Sequence, residues 1–220
     1  MLELFLNYFV VLFVVIDPVG VAAIFSALTH GEARSRQIRA AWRGTLIAAV
    51  VLIVFVIVGD PLLRGLGISM PAFQIAGGVL LFLLAVDMVF ARHSGLRSTT
   101  LSEQKEAQQK KDISVFPLAV PLIAGPGALT SVLLMVGEQG REPLVVGTVL
   151  AVLAVVLGLT LVALILSARM MRFMGETGAN VVSRVLGIVL AALAVQFIID
   201  GGSAAASSSL EEEAAQVITI

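Results

Sequence analysis

The chain has 220 residues, of which 59% are hydrophobic and 13% are charged, and its formal net charge is −1. Soluble globular chains carry about 45–50% apolar and about 25% charged residues, so this composition excludes them and is typical of an integral membrane protein. The small net charge leaves no basic face for a nucleic acid, and the absence of cysteine excludes disulfides and thiolate metal sites.

Six apolar runs are long enough to cross a bilayer. A transmembrane helix needs about 20 largely apolar residues, because each residue advances about 1.5 Å. The predicted spans cover 4–28, 40–63, 70–91, 114–136, 144–168 and 181–200. The first run carries an acid, Glu3, and no basic residue at its start. We therefore expect it to be a membrane helix rather than a cleaved signal peptide.

Only one long polar stretch separates the predicted spans, a connecting loop at 92–113. It divides the chain into two three-helix halves, 1–91 and 114–202. The remaining residues, 203–220, are small, polar and then acidic, and they predict a disordered tail.

The basic residues predict the orientation of the helices. All of the 14 Lys and Arg except Arg64 and Arg141 lie in the regions after the first, third and fifth spans. By the positive-inside rule these regions are cytoplasmic, so both termini are predicted to lie outside.

The two halves contain a weak internal repeat. A shift of 108 residues places Asp17 and Pro18 on Gly125 and Pro126. Each half has three spans, an odd number, so the halves are predicted to have opposite orientations. The predicted fold class is an all-α membrane protein whose six transmembrane helices form two inverted three-helix repeats.

Proline interrupts the first and fourth spans near their centres. A proline inside a helix removes one backbone hydrogen bond and costs about 3 kcal/mol or more. In lipid, the freed carbonyls must face protein or a water-filled cavity. Helices 1 and 4 are therefore predicted to be broken at Pro18 and Pro126, with Gly20, Gly125 and Gly127 giving freedom to unwind. A packing kink is the alternative for either proline alone, whereas a matched pair favours a site near the midplane.

A single carboxylate, Asp17, lies in the middle of the first span. A charge at bilayer depth costs on the order of 3 kcal/mol, so Asp17 is predicted to face the protein interior. It could carry a proton, or it could bind a substrate ammonium or Na⁺ as a fixed anion. It could also cap the half-helix that begins at Pro18, a role compatible with transport.

These features together predict a site for a small zwitterion such as an amino acid. The amides at the two half-helix N-termini suit its carboxylate, and either Asp17 or the unwound backbone carbonyls suit its ammonium. The candidate substrate- or ion-binding residues are Asp17, Pro18, Gly20, Gly125, Pro126, Gly127, Thr130 and Ser131. Weaker candidates for lining a path are Asn7, Gln74 and Gln196, for which interhelical hydrogen bonding is the alternative.

The sequence predicts no enzyme. It contains no hydrolase or zinc-protease motif and no pair of deep carboxylates, and its two histidines, His30 and His93, lack metal-ligand spacing. No catalytic residue, metal site or cofactor is therefore predicted. A channel is a competing function, but one deep acid makes a ring only in a homo-oligomer, a state that the sequence leaves open.

Three motifs resemble the MarC family of bacterial inner-membrane proteins: VVIDPVG, FPLAVPLIAGPGALTS and GETGANVVSRVLGIVLAALAVQFIIDG. The resemblance covers nearly all of residues 1–202 and implies a six-helix inner-membrane protein of the MarC/SnatA type. Some members of that family are described as transporters of small neutral amino acids. The family motifs fall on Asp17, Pro18, Gly20, Gly125, Pro126 and Gly127.

The resulting hypothesis is a secondary transporter of small neutral amino acids such as glycine or alanine, in the bacterial inner membrane. Proton coupling through Asp17 and alternating access between the two halves are expected, and Na⁺ is the less favoured alternative to the proton. The alternatives are an exporter of another small metabolite on the same scaffold, a non-transporting membrane protein, and a channel.

Overall fold

A computed structural model describes residues 2–90, 113–137 and 142–218, without side-chain detail at 176 and from 208 onward. The first apolar span consists of α1 (Leu2–Ile16) and α2 (Pro18–Leu28), separated only by Asp17. Two longer helices follow, α3 (Arg34–Gly65) and α4 (Met70–Phe90). Within the described ranges the regular structure is helical and contains no strand.

The second half begins with two short helices that form a bent pair. The segment α5 (Ser114–Ile123) is a wide helix with hydrogen bonds to the fifth preceding residue, and α6 (Pro126–Gly137) follows it at a bend of 53°. The last helical run, Pro143–Ile218, is broken at Gly175, where φ is +64° and glycine avoids the strain of a side chain. The break separates two apolar spans, α7 (Pro143–Gly175) and α8 (Thr177–Ser207).

The predicted all-α membrane architecture is confirmed. Among the described residues, five helices are long and apolar enough to cross a membrane, and the number is six if α5 and α6 form one span. The region Leu2–Leu28 counts as one of the five although Asp17 interrupts it. The predicted connecting loop, 92–113, lies outside the described residues except for Ile113.

The structure extends α8 into the segment predicted to be a disordered tail. The backbone is helical to Ile218, and the three consecutive alanines before Ser207 favour this conformation. The hydroxyls of Ser203 and Ser207 donate to the carbonyls of Asp200 and Ser203, at 2.9 and 3.1 Å. The small polar residues are therefore accommodated inside a helix, because their hydroxyls bond to the preceding turn.

Glycines allow α4 and α8 to pack closely in antiparallel directions. A methyl group added at Gly78 would lie 2.8 Å from the carbonyl oxygen of Ala194, and one at Gly187 would lie 2.8 Å from Met88 Cβ. Small residues at such contacts let helix backbones approach within a membrane. This interface holds the third span against the last one.

We expect Gly78→Ala to destabilise the protein by about 1–3 kcal/mol, because the added methyl meets a backbone oxygen that cannot rotate away. The thermal unfolding midpoint of the purified protein in detergent measures this effect. The matched control is Gly147→Ala in α7, where nothing lies within 4 Å and the midpoint should stay the same or rise slightly. Equal midpoints for the two variants would contradict this packing.

The helix α3 packs in parallel along the bent pair. Methyl groups added at Gly44 and Gly59 would lie 2.8 Å from Leu118 Cγ in α5 and 2.7 Å from Leu133 Cγ in α6, respectively. The order of these contacts shows that α3 and the pair α5–α6 run in the same direction, as alternate spans of a membrane protein do.

Candidate functional site

Asp17 is the residue at which the first span is interrupted. Its side chain is fully buried, and its backbone is left-handed, with φ 47° and ψ 73°. Aspartate tolerates this conformation better than most residues with a side chain. Its Oδ1 accepts a hydrogen bond of 3.0 Å from the backbone N–H of Gly20, and Pro18 is the first residue of α2. Asp17 therefore caps α2, where a negative charge is favoured by the helix dipole.

Ser183 of α8 contacts the other oxygen of this carboxylate. The Ser183 hydroxyl donates to Asp17 Oδ2 at 2.9 Å, across 166 positions of sequence. Ser183 is absent from the candidates that the sequence predicts, because a single serine in an apolar helix carries no signal about its distant partner. The bond joins the break in the first span to the beginning of the last span.

Gly20 makes room for this contact. A methyl group added there would overlap Asp17 Oδ2 and would lie 2.9 Å from the Ser183 hydroxyl oxygen. From the sequence, Gly20 is predicted to give the helix freedom to unwind, but in the structure it lies inside α2. Because it has no side chain, Gly20 leaves space for the carboxylate. Its backbone N–H also donates the hydrogen bond that the carboxylate accepts. We call Asp17, Gly20 and Ser183 the Asp17 cluster.

Replacing Ser183 by alanine should destabilise the protein by about 1–3 kcal/mol, because a buried carboxylate loses one of its donors. The unfolding midpoint in detergent is the measurement. Ser203→Ala is the matched control on the same helix, since its exposed hydroxyl only bonds a carbonyl of its own helix. If the two variants have the same unfolding midpoint, the hydrogen bond from Ser183 contributes nothing to stability.

The second break lies at the start of α6. Pro126 is the first residue of α6, and a side chain on Gly125 would overlap the carbonyl oxygen of Pro121. A methyl group on Gly127 would lie 3.1 Å from Val15 Cγ1, two residues before Asp17. The two interrupted spans therefore touch close to their breaks.

A small cavity adjoins this contact. It has a volume of about 20 Å³, and its lining includes Val15, Leu84, Gly125, Pro126 and Gly127. That volume is enough for about one water molecule, whereas pockets that hold small ligands measure about 300–1,000 Å³. In this conformation the region between the breaks is nearly closed.

Ser131 carries an unpaired hydroxyl one turn after the second break. It is fully buried, and its Oγ has no hydrogen-bond partner among the described residues. An unpaired buried hydroxyl costs about 1–3 kcal/mol, so it requires an explanation. Thr130 is also buried, but its methyl packs against Gly77 of α4. Of the two hydroxyl residues that the sequence predicts for the site, Ser131 has the oxygen that lacks a partner.

The weaker candidates lie apart from the Asp17 cluster. Gln74 is buried in α4, whereas Asn7 and Gln196 are exposed. Gln196 donates to Asp200 Oδ1 at 2.7 Å within α8, which is a local bond on an exposed face. The structure thus brings together the two helix breaks and Ser183, but not these path-lining candidates.

Comparison with known proteins identifies the family. The model of the MarC family of integral membrane proteins matches residues 2–205. The chain belongs to the MarC family. It is 37% identical over 203 residues to a UPF0056 membrane protein of Archaeoglobus fulgidus, covering 91% of this chain and 92% of the relative.

Two further relatives match over similar lengths. The chain is 33% identical to the UPF0056 membrane protein YvbG of Bacillus subtilis, over 90% of this chain and 93% of the relative. It is 34% identical to the UPF0056 inner membrane protein YhgN of Escherichia coli K12, over 87% and 92%. No solved structure matches the chain. The relatives' names give a membrane location and no substrate.

In this MarC-family protein, the motifs that carry the resemblance meet in space. VVIDPVG supplies Asp17 and Gly20, and GETGANVVSRVLG supplies Ser183. The motif FPLAVPLIAGPGALTS contributes Gly127, which packs against Val15 of VVIDPVG. Three segments that are distant in sequence therefore form one buried region around the two breaks.

Proposed function

We propose that this MarC-family protein is a secondary transporter of small neutral amino acids, with glycine and alanine as the substrate type. The observation that carries the proposal is the fully buried carboxylate of Asp17 at a break in a membrane helix. Ionisable residues inside membrane spans are costly and generally mark substrate or ion pathways. The substrate class comes from the resemblance to the MarC/SnatA type.

The proposed architecture is a pair of inverted three-helix repeats, one on each side of the connecting loop. In each repeat the first span is interrupted and resumes at a proline, Pro18 or Pro126. The Tyr8 hydroxyl donates to the carbonyl of Met135 at 3.1 Å, while Val15 lies beside Gly127, so α1 and α6 run antiparallel. Antiparallel interrupted helices that touch near their breaks support an inverted-repeat transporter.

The substrate would bind between the breaks. The N-terminal amides of α6 suit a carboxylate, and the unpaired hydroxyl of Ser131 adds a hydrogen bond one turn further on. Asp17 suits the ammonium group. Because the cavity there admits only about one water molecule, substrate entry requires the two halves to move apart.

Asp17 would also carry the coupling proton. A serine hydroxyl can donate or accept, so the contact with Ser183 can persist with its direction reversed when Asp17 is protonated. The neutral carboxyl, however, loses its favourable interaction with the N-terminus of α2. Proton binding would therefore weaken the cap at the start of α2 and favour a movement of the chain at this break. Na⁺ is the less favoured alternative as the coupling ion. The distribution of basic residues in the sequence supports an orientation with both termini outside.

Uptake into proteoliposomes tests the function. Labelled glycine or alanine is offered to the reconstituted protein with and without an inward proton gradient. We expect uptake above that of protein-free vesicles and faster uptake with the gradient. If folded protein transports neither compound under any gradient, the proposal fails, and another metabolite, a channel or a non-transporting role takes its place. Uptake that ignores pH rejects proton coupling.

Ser131→Ala should raise the KM for alanine about tenfold, because the substrate carboxylate loses one hydrogen bond worth about 1.5 kcal/mol. Its unfolding midpoint should not fall, since the Ser131 hydroxyl makes no hydrogen bond within the described chain. Thr160→Val in α7 is the control, because that hydroxyl bonds the carbonyl of Val156 and lies outside the site. An unchanged KM in Ser131→Ala would remove Ser131 from the site.

A further inference from the structure

A second, larger cavity lies away from the helix breaks, in a crevice between α3 and α7. It has a volume of about 410 Å³. From α3 it is lined by Trp42, Thr45, Leu46, Ala49 and Ile53, and from α7 by leucines and Ala154. Trp42 is 58% exposed, and Leu46 and Ile53 are exposed as well. The crevice therefore opens sideways onto the apolar outer face of the helices.

One polar group in this apolar crevice has no partner. Thr45 is 7% exposed, and its Oγ1 makes no hydrogen bond with the part of the chain that the structure describes. A threonine in a membrane helix commonly bonds the carbonyl four residues earlier, as Thr148 and Thr160 do at 2.8 Å. The Thr45 hydroxyl would be satisfied by an occupant that presents one hydrogen-bond acceptor at its level.

Basic residues precede the crevice along α3. Arg36 pairs with Glu32 at 3.0 Å, and the exposed Arg39 and Arg43 follow on the next two turns. Arg39 lies about 9 Å before Thr45 along the helix axis, and the crevice continues about 12 Å beyond Thr45 to Ile53. The exposed Trp42 is typical of a membrane–water interface.

We propose that this crevice binds one phospholipid with an anionic headgroup. The order along α3 is two cations, one hydroxyl and an apolar wall, which matches the order of phosphate, ester and acyl chain in a phospholipid. The headgroup lies at Arg39 and Arg43, an ester carbonyl accepts from Thr45, and the chain lies over Ala49 and Ile53. A helix of a second copy fits less well, because its backbone carbonyls are already bonded within the helix. The site is independent of the proposed transport function.

The single tryptophan of the chain makes this site directly observable, since Trp42 lines the crevice. The full chain is reconstituted with phosphatidylglycerol or phosphatidylcholine brominated near the ester end of one acyl chain. Trp42 fluorescence is then followed as the fraction of brominated lipid rises. We expect phosphatidylglycerol to quench Trp42 at a lower mole fraction than phosphatidylcholine does. The ratio of the two mole fractions should be about five for each basic residue that the headgroup contacts.

Two variants separate the parts of the site, each with a matched control. Replacing both Arg39 and Arg43 by glutamine should bring the two lipids close to equal quenching, whereas Arg64→Gln, at the other end of α3, should not. Ala154→Phe fills the crevice from α7 and should also abolish the preference, whereas Ala151→Phe, three residues away and outside the lining, should retain it. Thr45→Val should weaken the quenching by both lipids, because the ester carbonyl that Thr45 binds is common to them, and it changes the volume of the side chain little.

Three results would overturn the proposal. The first is equal quenching of the wild type by both lipids. The second is a preference for the anionic lipid that Ala154→Phe retains and the double replacement of Arg39 and Arg43 loses, which indicates attraction of the lipid to the protein surface alone. The third is a disulfide between two copies of Ala154→Cys in the otherwise cysteine-free chain, together with quenching that ignores the headgroup. That result assigns the crevice to a second copy.

Discussion

Asp17→Asn should fold normally and transport no faster than protein-free vesicles. Asparagine caps helices about as well as aspartate, so its oxygen can still accept from the Gly20 N–H. Its amide nitrogen can donate to the Ser183 hydroxyl oxygen, which keeps the link to α8. The substitution thus removes the charge and the proton-binding group with little change in shape.

Uptake of labelled alanine and the unfolding midpoint are measured together for this variant. Asp60→Asn is the matched control, because Asp60 is a carboxylate of α3 that pairs with Arg64 at 3.1 Å, near the end of that helix. The control should transport at the wild-type rate. If Asp17→Asn also transports at that rate, the carboxylate is only a helix cap and takes no part in transport.

Gly20→Ala should abolish transport and destabilise the protein by about 1–3 kcal/mol or more. The added methyl would overlap Asp17 Oδ2 and approach the Ser183 oxygen, so the carboxylate must leave both donors or α2 must shift. The backbone of Gly20 is helical and would accept alanine, so the expected effect is steric.

The thermal midpoint and the uptake rate measure the effect of Gly20→Ala. Gly158→Ala in α7 is the control, because a methyl there meets nothing within 4 Å. Its midpoint should stay the same or rise, since alanine favours a helix by up to about 1 kcal/mol over glycine. A Gly20→Ala protein with the stability and uptake of the control would show that the Asp17 cluster tolerates an added methyl.

The number and order of the apolar spans could be predicted because length and hydropathy decide them locally. The cap at Asp17 was also readable, since aspartate followed by proline is a local signal for the start of a helix. The irregular backbone of α5 had a local signal as well: Phe116 and Val120 each precede a proline and are extended. Only the break at Pro126 is predicted for that span from the sequence.

The partner of Asp17 could not be predicted in this way. The bond to Ser183 depends on how α8 packs beside α2, and apolar helices can slide and rotate past one another without a change in composition. The role of Gly20 was missed for the same reason, because its neighbours are an oxygen of Asp17 and an oxygen of α8. The unpaired hydroxyl of Ser131 likewise becomes apparent only when every neighbouring group has a position.

In the proposed mechanism, Asp17 couples a proton to the movement of a small neutral amino acid. The most direct test encloses a pH-sensitive dye in proteoliposomes of wild type and Asp17→Asn and adds alanine outside. The wild type should take up alanine with a simultaneous change of the internal pH, and Asp17→Asn should show neither. Alanine uptake by the wild type without a pH change, or an equal pH change in Asp17→Asn, would contradict the claim.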